Sequence, residues 1–160
     1  MYSIGVDLGG TNIVAGVVDD NYRILATAKC KTNAPRSAEL ILEDMATLSR
    51  EAVKKAGLSM DKIAFIGIGS PGTCNTETGV VEYTNNLDFN NVPICRIMHE
   101  KLGLPVYIET MPMPPHWARR WQVPLKVPTA VCVLRWAPVS VVALSLTERF
   151  TRVSILPVQK

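Results

Sequence analysis

The chain has 160 residues, a formal net charge of +3, 48% hydrophobic residues and four cysteines. That length makes one domain comfortably. Cys30, Cys74, Cys95 and Cys132 have no close spacing, so neither a zinc knuckle nor a disulfide framework is indicated.

Ile4 to Leu8 is a short apolar run with one acid in it, Asp7, and it breaks into Gly9-Gly10-Thr11-Asn12. Alternation resumes in Ile13 to Val18, so strand, two-glycine turn, strand predicts a β-hairpin. Two glycines allow positive φ and leave no Cβ to obstruct a bulky anion. Backbone N–H groups and the Thr11 hydroxyl can then point at phosphate oxygens, with Asp7 beside them to hold a hydrated Mg²⁺. An ordinary hairpin uses two glycines for its turn alone, so the motif by itself leaves both readings open.

After the Asp19-Asp20-Asn21 turn, Tyr22 to Thr32 alternates well enough for a third strand. Ser37 is a good N-cap, Glu39 sits in the first turn, and Leu40, Ile41, Met45, Leu48, Ala52 and Val53 recur at helical spacing. Lys54 and Lys55 fill the last turn, and Gly57 closes the helix. Ile63 to Ile68 reads as a buried strand, Pro93 to Leu102 as a shorter helix ending at Gly103, and Pro105 to Glu109 as a further strand. Meander, helix, strand, helix, strand is an α/β pattern with a mixed sheet.

Asp7-Leu8-Gly9-Gly10-Thr11-Asn12 resembles the first phosphate motif of sugar kinases in the actin-like ATPase superfamily, and most of all that of the ROK family, which includes bacterial glucokinases. Ile66-Gly67-Ile68-Gly69-Ser70-Pro71-Gly72 resembles the strand and Pro-Gly turn at the floor of the ROK sugar site. Gly79 to Leu87 resembles the segment whose asparagines hydrogen-bond sugar hydroxyls, and Pro105 to Glu109 the strand leading into the catalytic aspartate. Four matches in the expected order make the resemblance specific. It implies an actin-like (ribonuclease H-like) N-terminal lobe over 1–109, with ATP and Mg²⁺ as cofactors and a hexose, glucose first, as substrate. By resemblance Asp7 organises the metal water, Gly9, Gly10, Thr11 and Asn12 cradle phosphate, and Pro71, Gly72, Asn85 and Asn86 face the sugar. A kinase for N-acetylmannosamine or fructose is the alternative within the family. A ROK repressor remnant and a non-catalytic binding fragment are alternatives of other functional classes. Intact members are commonly homo-oligomeric, which is not expected of a fragment.

After Glu109 the chain changes character. All ten glycines, all four tyrosines and every Asn and Asp precede residue 110, whereas all three tryptophans and seven of eleven prolines follow it. Ten basic and 13 acidic residues give −3 before the break; seven basic and one acidic give +6 after it. Where the family continues Asn-Asp-Ala-Asn, this chain reads Thr110-Met111-Pro112-Met113, so the catalytic aspartate is missing. One A restored at the Glu109 codon lets the tail codons read NDANAAALGEALAGAAKG, and Arg135 to Ala143 read LGTGVGGG, which resembles the family's second phosphate motif. Residues 110–160 are therefore expected to be an out-of-frame tail, irregular and poorly packed, and a second lobe to be absent.

Other readings of the tail are weaker. Arg119-Arg120-Trp121 is a single basic-aromatic cluster, too little for nucleic-acid binding. Val127 to Leu146 is apolar, but Pro128, Arg135 and Pro138 interrupt it before a membrane span of about 18 residues is reached. His99 and His116 read as surface residues, and Glu77, Glu82 and Asp88 as solvated loop acids, so no further metal site is expected. No leader precedes the first strand, which gives a cytoplasmic expectation.

Overall fold

The computed structural model describes residues 1–21 and 23–111. Along the chain run β1 (Tyr2–Leu8), β2 (Asn12–Val18), β3 (Ile24–Lys31), α1 (Ala38–Lys55), a 3₁₀ turn (Met60–Lys62), β4 (Ile63–Ser70), β5 (Thr73–Asn75), β6 (Val80–Tyr83), β7 (Asn90–Val92), α2 (Ile94–Leu102) and β8 (Val106–Thr110). The main sheet has the order β3-β2-β1-β4-β8. Its first three strands form an antiparallel meander, and β1, β4 and β8 are mutually parallel, so the sheet is mixed as expected.

Alternation decides which face is covered. Ile4, Val6 and Leu8 lie opposite Val17, Ala15 and Ile13 in register, while Ile4 and Val6 also pair with Ile66 and Ile68 of β4. All of these are essentially inaccessible to solvent. Helix α1 packs on β2 and β3 and touches α2, which itself packs on β8. The α1 stripe consists of Ile41, Leu42, Met45, Ala46, Leu48, Ser49, Ala52 and Val53. Each large aliphatic side chain so buried contributes on the order of 1.5–3 kcal/mol relative to exposure.

Three details differ from the sequence expectation. Leu40 is 55% exposed and Leu42 takes its place, because positions 41, 42, 45, 46, 49 and 52 share one helical face and 40 lies off it. Ser37 is the N-cap of α1, but its side chain makes no cap hydrogen bond; the first bond comes from the Ile41 N–H to the Ser37 carbonyl at 3.4 Å. At the other end Ala56 is the C-cap and Gly57 follows with φ +70°, its N–H donating to Lys54 O while Leu58 N–H donates to Val53 O. That is a Schellman closure, with the C-cap one residue earlier than expected.

A second sheet, β5-β6-β7, is inserted between β4 and α2. Its strands have three, four and three residues, too short to show a period in sequence. Glu82 consequently belongs to β6 rather than to a loop, though it is exposed, as are Glu77 and Asp88. His99 is exposed too, and its Nδ1 lies 2.8 Å from Leu104 O beyond the end of α2. Burial pushes the Cys95 thiol up to about 11, with the neighbouring Cys74 adding to the rise, so it is a protonated packing group.

Candidate functional site

Parallel pairing puts the chemistry at one edge of the sheet. Asp7 of β1 pairs with Gly69 of β4, and Gly69 with Glu109 of β8; one step on, Ser70 pairs with Thr110. The Gly9–Asn12 turn, the Pro71–Gly72 turn and the chain just past Glu109 therefore all leave the carboxyl ends of adjacent parallel strands. Open α/β sheets bind ligands at such an edge.

The two glycine turns meet a common third segment. A Cβ on Gly10 would lie 2.3 Å from Asn86 Nδ2, so the turn backbone rests directly on the Asn86 amide. On Gly72 a Cβ would lie 2.0 Å from Tyr83 O and 3.0 Å from Thr84 Cα, so this turn is wedged against the backbone entering Asn85. Gly72 has φ +87°, a conformation that itself calls for glycine. Gly9 and Gly10 are not in the left-handed region. This corrects the expectation that their value is positive φ: at Gly10 the requirement is close approach to Asn86.

The asparagines stand on a pinned loop. Thr84 N–H donates to Phe89 O at 3.1 Å and Phe89 N–H donates to Thr84 Oγ1 at 3.1 Å, closing the segment between them. Leu87 and Phe89 are buried in the core, whereas Asn85 and Asn86 stay exposed. Burying alternate apolar anchors holds the two amides outward. A cavity of about 400 Å³ opens beside them, lined by Ala34, Pro35, Tyr83, Thr84, Asn85, Asn86 and Asp88. Tyr83 is 57% exposed at its rim. Amides, a carboxylate and an aromatic face suit a polyhydroxylated ligand.

Asp7 is buried at 5% exposure, two residues before the turn. Thr11 and Asn12 are exposed at its tip, and Pro71 is half-buried. Past Glu109, Thr110 Oγ1 accepts from Cys74 N–H at 3.1 Å, and Met111 N–H donates to Ser70 O at 2.8 Å. The strand end is thus built, with Met111 where the resemblance puts an aspartate. Among the described residues no group of three or more His, Cys, Asp and Glu side chains could hold a metal ion.

Sequence reading missed Thr32, whose hydroxyl donates to Gly9 O at 2.6 Å and whose N–H donates to Thr11 O at 2.9 Å. It also missed Ala34 and Pro35 in the cavity wall. Neither has a local signature, because both reach the site only through the return of β3 alongside β2.

The sequence profile of the ROK family matches residues 3–122. The chain belongs to the ROK family. A glucokinase of Streptomyces coelicolor is 37% identical over 107 residues, which is 67% of this chain and 32% of that protein. A xylose repressor of Caldicellulosiruptor bescii is 34% identical over 113 residues, which is 66% of this chain and 27% of that protein. The ROK hexokinase of Thermus thermophilus superposes with TM-score 0.61 at 34% identity, covering 69% of this chain and 35% of its own. A ROK family glucokinase of Streptomyces griseus, solved with glucose and AMPPNP, gives TM-score 0.62 at 26% identity, covering 96% and 47%. The fold is the actin-like ATPase fold of these kinases. The chain spans about a third of the length of the curated relatives it matches.

Proposed function

We propose that this chain carries the phosphate- and sugar-facing lobe of an ATP-dependent hexose kinase, glucose being the first-choice sugar, and that its own 160 residues do not complete the transfer. The contact of Gly10 with Asn86 is the observation that carries this reading. It joins a bare backbone turn, suited to an anion, to an amide pair beside a cavity, suited to hydroxyls. The glucose and AMPPNP bound to the S. griseus glucokinase are the ligand classes such a pairing would serve.

The residues present fit a Mg²⁺-nucleotide. Mg²⁺ keeps most of its water and takes one or two carboxylates, which a single Asp7 can provide through water. Gly9 and Gly10 offer backbone without side chains, with Thr11 and Asn12 at the tip. When bound, Mg²⁺ neutralises charge on the phosphoryl oxygens. What this chain does itself is orient: Asn85 and Asn86 present hydrogen-bonding groups to sugar hydroxyls, and Pro71 and Gly72 form the floor. It supplies no aspartate past Glu109, where Thr110 and Met111 stand. A positioned base is typically worth about 10² to 10⁴ in rate. The out-of-frame tail over 110–160 accounts for that loss, and its residues from 112 lie outside the described structure. Among the described residues no helix is long and apolar enough to cross a membrane. A cytoplasmic setting fits this reading.

The xylose repressor among the relatives supports a second reading, a sugar-sensing lobe without phosphoryl transfer. Two-dimensional ¹⁵N spectra of the 160-residue chain separate the two. On the kinase reading glucose shifts Asn85, Asn86 and Gly72, and MgADP shifts Gly9 to Asn12. A response to glucose or xylose with none to MgADP would favour the sensor, and no response to either would overturn both.

A further inference from the structure

We propose that Thr32 is a positioning residue that locks the Gly9–Asn12 turn with the Gly10 N–H directed away from β3, to the side open for an anion. The assignment rests on the phosphate reading of that turn given above. Thr32 is fully buried, and it spends both of its donors on the turn. Its Oγ1–H donates to Gly9 O at 2.6 Å and its N–H to Thr11 O at 2.9 Å.

A trans peptide unit is planar, so a carbonyl and the N–H that follows it point in opposite directions. Drawing the Gly9 carbonyl towards Thr32 therefore turns the Gly10 N–H away from it. Drawing in the Thr11 carbonyl does the same to the Asn12 N–H. The Gly9 N–H is itself taken up by Asn12 O at 3.0 Å. Three bonds thus define the turn, and two of them come from one residue that lies 23 positions from Gly9.

Thr32 is held in turn. Its carbonyl accepts from Arg36 Nε at 2.7 Å, and Arg36 Nη2 forms an ion pair with Asp44 of α1. The orientation of a loop that strand pairing alone would leave mobile is thereby referred back to the long helix. Any residue could donate from its backbone N–H, but the bond to Gly9 O needs a hydroxyl, which threonine or serine supplies.

The test uses the 160-residue chain and two variants, Thr32→Val and Thr32→Ser, with ¹⁵N relaxation at Gly10 and a MgADP titration. In the wild type and in Thr32→Ser, the Gly10 N–H order parameter should match the strands at about 0.85; in Thr32→Val it should fall below about 0.6. MgADP affinity, read at Gly10 and Thr11, should weaken about three- to tenfold in Thr32→Val and recover in Thr32→Ser. A merely structural role would lower melting temperature without this local loosening. If Thr32→Val does not fold, Arg36→Gln replaces it, since it frees the Thr32 carbonyl without touching the turn and should loosen Gly10 in part. A mobile Gly10 in the wild type, or an unchanged order parameter in Thr32→Val (or in Arg36→Gln where that replaces it), would overturn the proposal. An ordered turn that loosens in Thr32→Val, with no MgADP response in any form, would uphold the lock and overturn the phosphate reading instead.

Discussion

Replacing Gly72 by alanine should be among the most damaging single-methyl changes in this protein. Two costs combine. At φ +87° an alanine is strained by about 1–2 kcal/mol. Its Cβ would also sit 2.0 Å from Tyr83 O, about 1.4 Å inside the 3.4 Å at which ordinary contact begins. Tyr83 cannot swing aside, because it pairs with Thr73 on one side and Asn90 on the other. Overpacking of this kind costs about 1–3 kcal/mol. The total, about 2–5 kcal/mol, is a large share of the ~5–15 kcal/mol by which such domains are stable. Gly57→Ala is the matched control, with φ +70° and nothing within 4 Å of its would-be Cβ. Urea denaturation should therefore place Gly72→Ala about 1–3 kcal/mol below Gly57→Ala, a midpoint difference of roughly 0.5–1.5 M at a typical slope. Equal midpoints would show that the Gly72 turn is not wedged against the Tyr83–Thr84 backbone.

Asn86→Ala should leave stability within about 0.5 kcal/mol, since the residue is exposed. The same change should weaken glucose affinity about fivefold, the worth of one neutral hydrogen bond, as read at Asn85 and Gly72 by ¹⁵N titration. A hydrogen bond and the charge of Lys101 hold the Glu43 carboxyl below its ordinary value of 4.5, tying α1 to α2. A carboxyl with a depressed pKa stabilises the fold above its unfolded pKa and loses that contribution as pH falls through the folded one. Glu43→Gln should accordingly lower the melting temperature slightly at pH 7, where the wild type keeps that contribution, and flatten the drop below about pH 4.5, so that the two proteins converge at low pH.

The order of elements and the site edge were legible because their signals are local. Asp7 and the glycine pair, the Pro71–Gly72 turn and the end of β8 are each marked by residue type, and parallel pairing then gathers them. The β5-β6-β7 sheet was not legible, since three-residue strands carry no period. Leu40 misled because any leucine near a helical stripe resembles part of it, whereas the face is fixed by packing on β2 and β3. Positive φ was the part of the Gly9-Gly10 reading that did not hold, and the space Gly10 leaves for Asn86 is visible only once the Thr84–Phe89 loop is folded back. Thr32 depends on a contact across 23 residues, which composition cannot show.

The central claim is that this lobe is a kinase half-site deprived of its base by an out-of-frame tail. The most direct measurement compares glucose-dependent ADP release, with ATP and Mg²⁺, by two proteins. One is the 160-residue chain; the other has a single A restored at the Glu109 codon, with the downstream reading frame continued. Turnover by the restored protein, with the 160-residue chain slower by at least about 10² to 10⁴, is the predicted result. Comparable turnover by the 160-residue chain would contradict the account, because it would place the catalytic base somewhere other than just past Glu109.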